Sequence, residues 1–182
     1  MPEIEINISN EWGRLEAVVV GHGRSMGPPP TLASAYDPTS KVHLANGSFP
    51  QQSEVASQLD GLAELLDGEG IEVLRPLDLP DLEQVFARDV GLVIDSTFVR
   101  SRTIDARRGE WDGVAPILGN TPWMAIPDDV HMEGGDVVVL DDALFVGVTR
   151  RPDWQGLQTT RTLPSALAFL ASTFPHREVV GL

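Results

Sequence analysis

The chain has 182 residues, 42% of them apolar and 22% charged, with a formal net charge of −14, the make-up of one soluble globular unit with a sizeable core. So acidic a chain lacks the basic footprint that nucleic acid or an anionic membrane requires of a partner, and it suits a cationic small molecule. Lys41 is the only lysine and there is no cysteine, which excludes disulfides, a thiol nucleophile and thiolate metal ligands from these residues.

The first stretch, "MPEIEINISNEWGRLEAVVVG", has no basic leader and only a short apolar run, so neither a signal peptide nor a membrane span is expected, and the cytoplasm is the expected location. Within it "RLEAVVVG" reads as a buried strand ending at Gly21. "GHGRSMGPPPTLASAYDPTSK" follows; its proline triplet predicts a long loop, and long loops in compact domains are often functional. From Gln51 to Leu66 the residues Val55, Leu59, Leu62, Leu65 and Leu66 recur at helical spacing, with a glycine stop at "DGEG". "IEVLRP" is a strand that Pro76 ends. "VGLVIDSTFVRS" reads as two strands with a tight turn at Asp95-Ser96. "RTIDARRGEW" is a short helix and "PWMAIP" a short strand. Val137–Leu140 and Leu144–Val148 form a second hairpin around Asp141-Asp142. "DWQGLQTTRTLPSALAFLAS" is mostly helical with a break at Pro164, and "REVVGL" is a last strand.

Residues 89–99, "DVGLVIDSTFV", align with residues 136–146, "DVVVLDDALFV", at a constant offset of 47. Asp, Val, Asp, Phe and Val coincide. The match predicts a structural repeat of strand, strand, helix, strand. Leu15–Val20, the helix over 51–66 and Ile71–Leu74 make a degraded first unit. Asp89 and Asp136 then hold equivalent positions at the entrance to a strand, and units packed around an axis bring such positions together.

Clustered carboxylates bind guanidinium or ammonium groups through charge-assisted hydrogen bonds and serve as general acids or bases when burial shifts their pKa. Asp89 and Asp136 can equally accept backbone N–H bonds where strands begin. Gly134 and Gly135 fit a tight turn that lets backbone or ligand approach closely. His131-x-Glu133 with Asp136 matches no specific zinc spacing. "GHG" lacks the third glycine of a phosphate loop, and no G-x-S-x-G is present.

"NEWGRLEAVVVG", "FARD", "RRGE", "HMEGGDVVV" and "FVGVTRRPDWQG", in this order, resemble the guanidino-group-modifying enzymes: amidinotransferases, arginine deiminases and dimethylarginine dimethylaminohydrolases. The resemblance covers nearly the whole chain. It implies an α/β pentein, a propeller of strand-strand-helix-strand units around a pseudo-fivefold axis, here about three units of five. Residues 1–182 would form a single, C-terminally truncated domain. In the family a cysteine attacks the guanidinium carbon and a histidine acts as general acid and base. The amidino group then passes to water or to an amine. The resemblance assigns the guanidinium clamp to Asp89 and Glu133, support of the site to Asp136, and the substrate carboxylate to Arg108 (or Arg107) and Arg151. It places Phe86 of "FARD" among the substrate-binding residues. It implies a small guanidino substrate, such as arginine, and calls for no cofactor and no metal.

The family's cysteine and its matching histidine are not among these residues, and "RRPD" departs from the usual Thr-Asn after the arginine. His176 precedes the last strand and does not match the catalytic histidine. Three readings stand: part of an amidinotransferase or guanidino hydrolase, a catalytically inactive pentein that binds a guanidino ligand or a partner protein, or a degenerate fragment with no function of its own. An open ring implies exposed strand edges and hence self-association or a complementing C-terminal chain.

Overall fold

The computed structural model describes residues 5–149 and 161–182. Three small sheets follow one another along the chain. The first pairs β1 (Ala17–Val19) with β2 (Glu72–Leu74) in parallel, joined through α1 (Pro38–Ala45) and α2 (Gln52–Gly68). The second holds β3 (Gly91–Ile94), β4 (Thr97–Arg100) and β5 (Trp123–Ala125), with α4 (Trp111–Leu118) between the last two. The third repeats this plan with β6 (Val137–Leu140), β7 (Ala143–Val146), α5 (Ser165–Thr173) and β8 (Glu178–Gly181). In both complete units an antiparallel hairpin is followed by a crossover to a strand parallel to the hairpin's second strand.

The repeat begins before the strands. A single helical turn, α3 (Ala87–Val90), leads into β3, and a 3-10 turn over Gly134–Asp136 leads into β6. Buried positions keep the offset of 47, as Val90 with Val137, Leu92 with Val139 and Val99 with Val146. The hairpin ladders do not. Leu92 faces Val99, whereas Val139 faces Leu144, two positions short of the Val146 that the offset requires. A shift of two preserves which side chains face inward, while a shift of one would turn the strand inside out. The gapless alignment therefore records buried faces rather than pairing.

One core joins the second and third units, with Leu92, Ile94, Met132, Val139, Leu144 and Leu170 nearly inaccessible. Each such side chain contributes about 1.5–3 kcal/mol by leaving water. Arg177 locks the two hairpin turns together. It is buried, pairs with Asp95, and donates to the carbonyls of Asp141 at 2.6 Å and Ser9 at 3.3 Å. Asp95 itself sits at φ 53°, in the left-handed region that aspartate tolerates better than most residues.

The first unit is thinner. No residue of α2 is fully buried, and Leu62 and Leu65 of its apolar stripe are exposed. A two-stranded sheet has too little surface to cover a helix of this length. The loop after β1 contains a helix the sequence reading left out. Asp37 accepts from the N–H groups of Thr39 and Ser40, and Pro38 opens α1 where its missing N–H costs nothing.

α3 and the Gly134–Asp136 turn touch directly. A Cβ on Gly134 would lie 2.2 Å from the Arg88 carbonyl oxygen and 3.1 Å from Gly91 backbone. Arg88 staples the contact, donating from Nε to the Gly134 carbonyl at 3.0 Å and from Nη2 to Val137 at 2.9 Å and to Glu11 at 2.5 Å. Gly134→Ala is expected to lower stability by about 1–3 kcal/mol or more, since backbone cannot rotate away. Gly61→Ala in α2, where nothing lies within 4 Å, is expected to raise it by about 0.5–1 kcal/mol. Urea denaturation of the two variants checks both signs.

Candidate active site

The two abutting turns deliver their acids to one place. Asp89 lies within the first turn, Glu133 precedes the second and Asp136 closes it. Gly135 makes room, for a Cβ there would meet Asp89 Oδ1 at 2.1 Å. Beyond β4, a 3-10 turn over Asp105–Glu110 brings Arg107 inward. Its guanidinium is buried and fully engaged. Nε and Nη2 grip Glu110 at 2.6 and 2.8 Å, Nη1 donates to Asp89 Oδ2 at 2.5 Å, and Nη2 reaches the Phe86 carbonyl at 3.2 Å. Glu133 Oε2 lies 3.7 Å from the same Nη1.

A second guanidinium enters from Arg161. Its Nε donates to Glu133 Oε2 at 2.7 Å, and Nη2 lies 3.6 Å from Asp89 Oδ2. Its other side faces the Tyr36 ring, 5.6 Å from the ring centre, so the loop after β1 contributes to the cluster. Thr162, wholly buried, donates its hydroxyl to Asp136 Oδ2 at 2.6 Å and accepts from the Glu133 N–H at 3.1 Å. Asp136 thereby holds the hydroxyl that positions Glu133.

Three carboxylates, of Asp89, Glu110 and Glu133, thus share two guanidinium groups, and Asp136 adds a fourth acid, bonded to the Thr162 hydroxyl. Burial pushes the Glu133 carboxyl above its ordinary range, with Arg161 and Arg107 pulling the other way. Burial also raises Asp136, against the Thr162 hydrogen bond, and pushes Glu110 up to about 7, against Arg107. Glu83 and Tyr36 are raised by burial as well. For Arg107 burial acts downward, but Glu110 and Asp89 outweigh it and its pKa rises, so it remains charged. Glu133 Oε1 is buried with no hydrogen-bond partner among the described residues.

The structure thus brings Asp89, Glu133 and Asp136 together. Of the adjacent arginines it places Arg107 in the cluster, while Arg108 is exposed and pairs with Asp105 at 2.5 Å. Both arginines have an acid three positions away along the chain, so the spacing alone could not separate them. Phe86 presents its carbonyl to Arg107, and its side chain is 58% exposed. Arg151 lies outside the described residues. Arg161, Thr162, Glu110 and Tyr36 were not singled out from the sequence; the only trace of the first two is an arginine-threonine pair before α5. The "GHG" stretch serves packing, since Cβ atoms on Gly21 and Gly23 would strike the Gln84 carbonyl and Val55. Among the described residues no group of three or more His, Cys, Asp or Glu side chains could hold a metal ion, and no helix is long and apolar enough to cross a membrane.

Arg107→Ala leaves the buried Glu110 and the partly buried Asp89 without their main donor and is expected to cost about 3–5 kcal/mol in denaturant unfolding. Glu110 yields a pH test. Its folded pKa of about 7 lies above the ordinary 4.5, so the folded state binds that proton more tightly. Its contribution favours the fold below the unfolded value and is lost as pH rises through about 7. Glu110→Gln is expected to flatten the fall in stability over that window, measured as the denaturation midpoint against pH.

No family model matches the chain. A curated relative, the uncharacterized protein YkgA of Bacillus subtilis (strain 168), is 30% identical over 159 residues, which is 85% of this chain and 53% of that protein. The chain therefore spans about half the length of that relative. Among solved structures, SxtG, an amidinotransferase from Microseira wollei in the saxitoxin biosynthetic pathway, is similar with a TM-score of 0.70 at 18% identity, over 97% of this chain and 62% of that one. The N-terminal domain of ArgZ, an arginine dihydrolase from cyanobacteria, bound to substrate, gives 0.63 at 20% identity over 91% and 57%. The DDAH of Pseudomonas aeruginosa, complexed with citrulline, gives 0.65 at 16% identity over 92% and 61%.

Proposed function

From the premise that this chain has the fold of the pentein guanidino-modifying superfamily, we propose that it forms the guanidinium-binding part of an amidinotransferase or guanidino hydrolase acting on arginine or a related compound. The carrying observation is Glu133: a buried carboxylate with one oxygen that has no donor among the described residues, in a cluster where acids outnumber guanidinium groups. A planar guanidinium supplies several N–H donors in fixed directions and positive charge at once. On this reading Asp89 and Glu133 receive the substrate's guanidinium. Arg161, held on one side by Glu133 and facing the Tyr36 ring on the other, turns toward the substrate's carboxylate, while Arg107 stays with Glu110 and Asp89. Asp136 acts through Thr162 to keep Glu133 in place.

The covalent step of the family needs a thiolate to attack the guanidinium carbon, because that carbon is resonance-stabilised and a nucleophile divides the barrier. These 182 residues hold no cysteine, so we assign the nucleophile, and the histidine that serves it, to a part of the protein beyond them. The carboxylates would favour the cationic guanidinium and steady the charge that moves during attack. The same lack of cysteine favours a second reading, an inactive pentein that binds its ligand without turning it over.

Calorimetry separates guanidinium recognition from general cation binding. Arginine and agmatine are expected to bind at least about tenfold more tightly than lysine, and Glu133→Gln is expected to abolish that preference; equal affinity for all three ligands, or an unchanged Glu133→Gln variant, overturns the reading. Because burial raises the Glu133 pKa and the ligand needs the ionised form, affinity is expected to fall as the pH is lowered from neutrality. The isolated chain is expected to release neither citrulline nor urea from arginine. Turnover at ordinary rates that Asp89→Ala abolishes would show a route without a thiol.

A further inference from the structure

A second concave site lies beside the acid cluster and carries the opposite charge. It is a cavity of about 240 Å³ lined by Arg100, Ser101, Arg102, Arg108, Trp111 and Asp128, among others. Three arginines therefore face one aspartate, in a chain whose formal charge is −14. Salt screens the surface acids beyond about 8–10 Å, and the carboxylates of the adjoining cluster are paired with Arg107 and Arg161.

The arginines are not consumed by the protein. Arg100 stands 4.5 Å over the Trp111 ring, with no ion pair among the described residues. Arg102 reaches Asp128 with Nη1 at 2.6 Å, but Asp128 is fully exposed, and such pairs hold weakly. Among the described residues neither the buried Arg102 Nε nor the buried hydroxyl oxygen of Ser101, a residue only 9% exposed, has a hydrogen-bond partner. Arg108 pairs only with Asp105, itself exposed. Buried donors without acceptors cost free energy that an incoming acceptor recovers. The space exceeds a single water and falls below the roughly 300–1,000 Å³ of drug-sized ligand sites.

We infer that this cavity is a binding site for a small oxyanion, the phosphate or carboxylate group of a compact ligand. Arg100 and Arg102 supply the charge, and Trp111 forms the wall that orients Arg100. Asp128 competes with the ligand for Arg102, so its removal improves the site. Val90 and Arg108 follow directly on Asp89 and Arg107, so the cavity and the acid cluster are built on the same two turns with opposite preferences in charge.

The test is calorimetry of the full 182-residue chain with inorganic phosphate and, separately, with succinate. Saturable binding of either at a Kd of about 1 mM or below is expected, weakening as sodium chloride is added. Phosphate alone identifies the phosphate source, succinate alone the carboxylate, and both together a general oxyanion site. Arg102→Gln and Arg100→Gln are each expected to lower affinity at least about tenfold. Asp128→Asn is expected to raise it about twofold to fivefold, a change of sign that a purely structural role for these arginines does not produce. Circular dichroism checks folding; if Arg100→Gln misfolds, Arg102→Gln and Asp128→Asn decide. Absence of saturable binding with both anions, or affinities unchanged in the folded variants, overturns the site.

Discussion

Two stretches of backbone can meet closely only where no side chain stands between them, and at Gly134 the turn before β6 lies against the carbonyl of Arg88 and the backbone of Gly91. This contact sets the distance between the second and third units at their inner ends. It determines where Asp89 and Glu133 point, how Arg88 can bind two carbonyls of the neighbouring turn, and how much room Gly135 leaves for the Asp89 carboxylate. The pair of glycines between Glu133 and Asp136 is thus the condition for bringing two acids, each at the head of its own strand, to one site.

Placing those acids together has an electrostatic cost that the fold only partly offsets. Arg107 answers Asp89 and Glu110, and Arg161 answers Glu133, while the raised pKa values of Glu110, Glu133 and Asp136 mark what is left uncompensated. A core built only for stability would put apolar groups of similar volume in these places. On the reading proposed above, the cluster is held ready for a cation, and the arginine-lined cavity beside it, one residue further along the same turns, carries the reverse preference.

Much of this was legible in the chain. The repeat of "DVGLVIDSTFV" in "DVVVLDDALFV" located both complete units, because buried strands and the turns before them impose the same pattern twice. The two-residue turns at Asp95-Ser96 and Asp141-Asp142 followed from their polar residues within apolar runs. Hairpin register was not legible, since an alternation of period two is satisfied equally by partners two positions apart. Nor was the choice of Arg107 over Arg108, because both have a carboxylate one turn away and only tertiary burial distinguishes them. Arg161 escaped because nothing local separates it from any arginine beside a helix; its role comes from Glu133, 28 positions earlier in the chain. α1 is hidden for a different reason: the proline triplet before it marks the whole stretch as loop, and only the Asp37-Pro38 pair signals a helix start.

Arg177 has a consequence for the order in which the molecule is assembled. Its guanidinium joins the carbonyl of Ser9, the turn at Asp95 and the turn at Asp141, groups separated by up to 168 positions along the chain. Contacts so distant form after local hairpins, because closing a long loop costs entropy before any contact compensates for it. The segment around Ile8, which exchanges backbone hydrogen bonds with Asp95, is therefore expected to dock after the hairpins have formed.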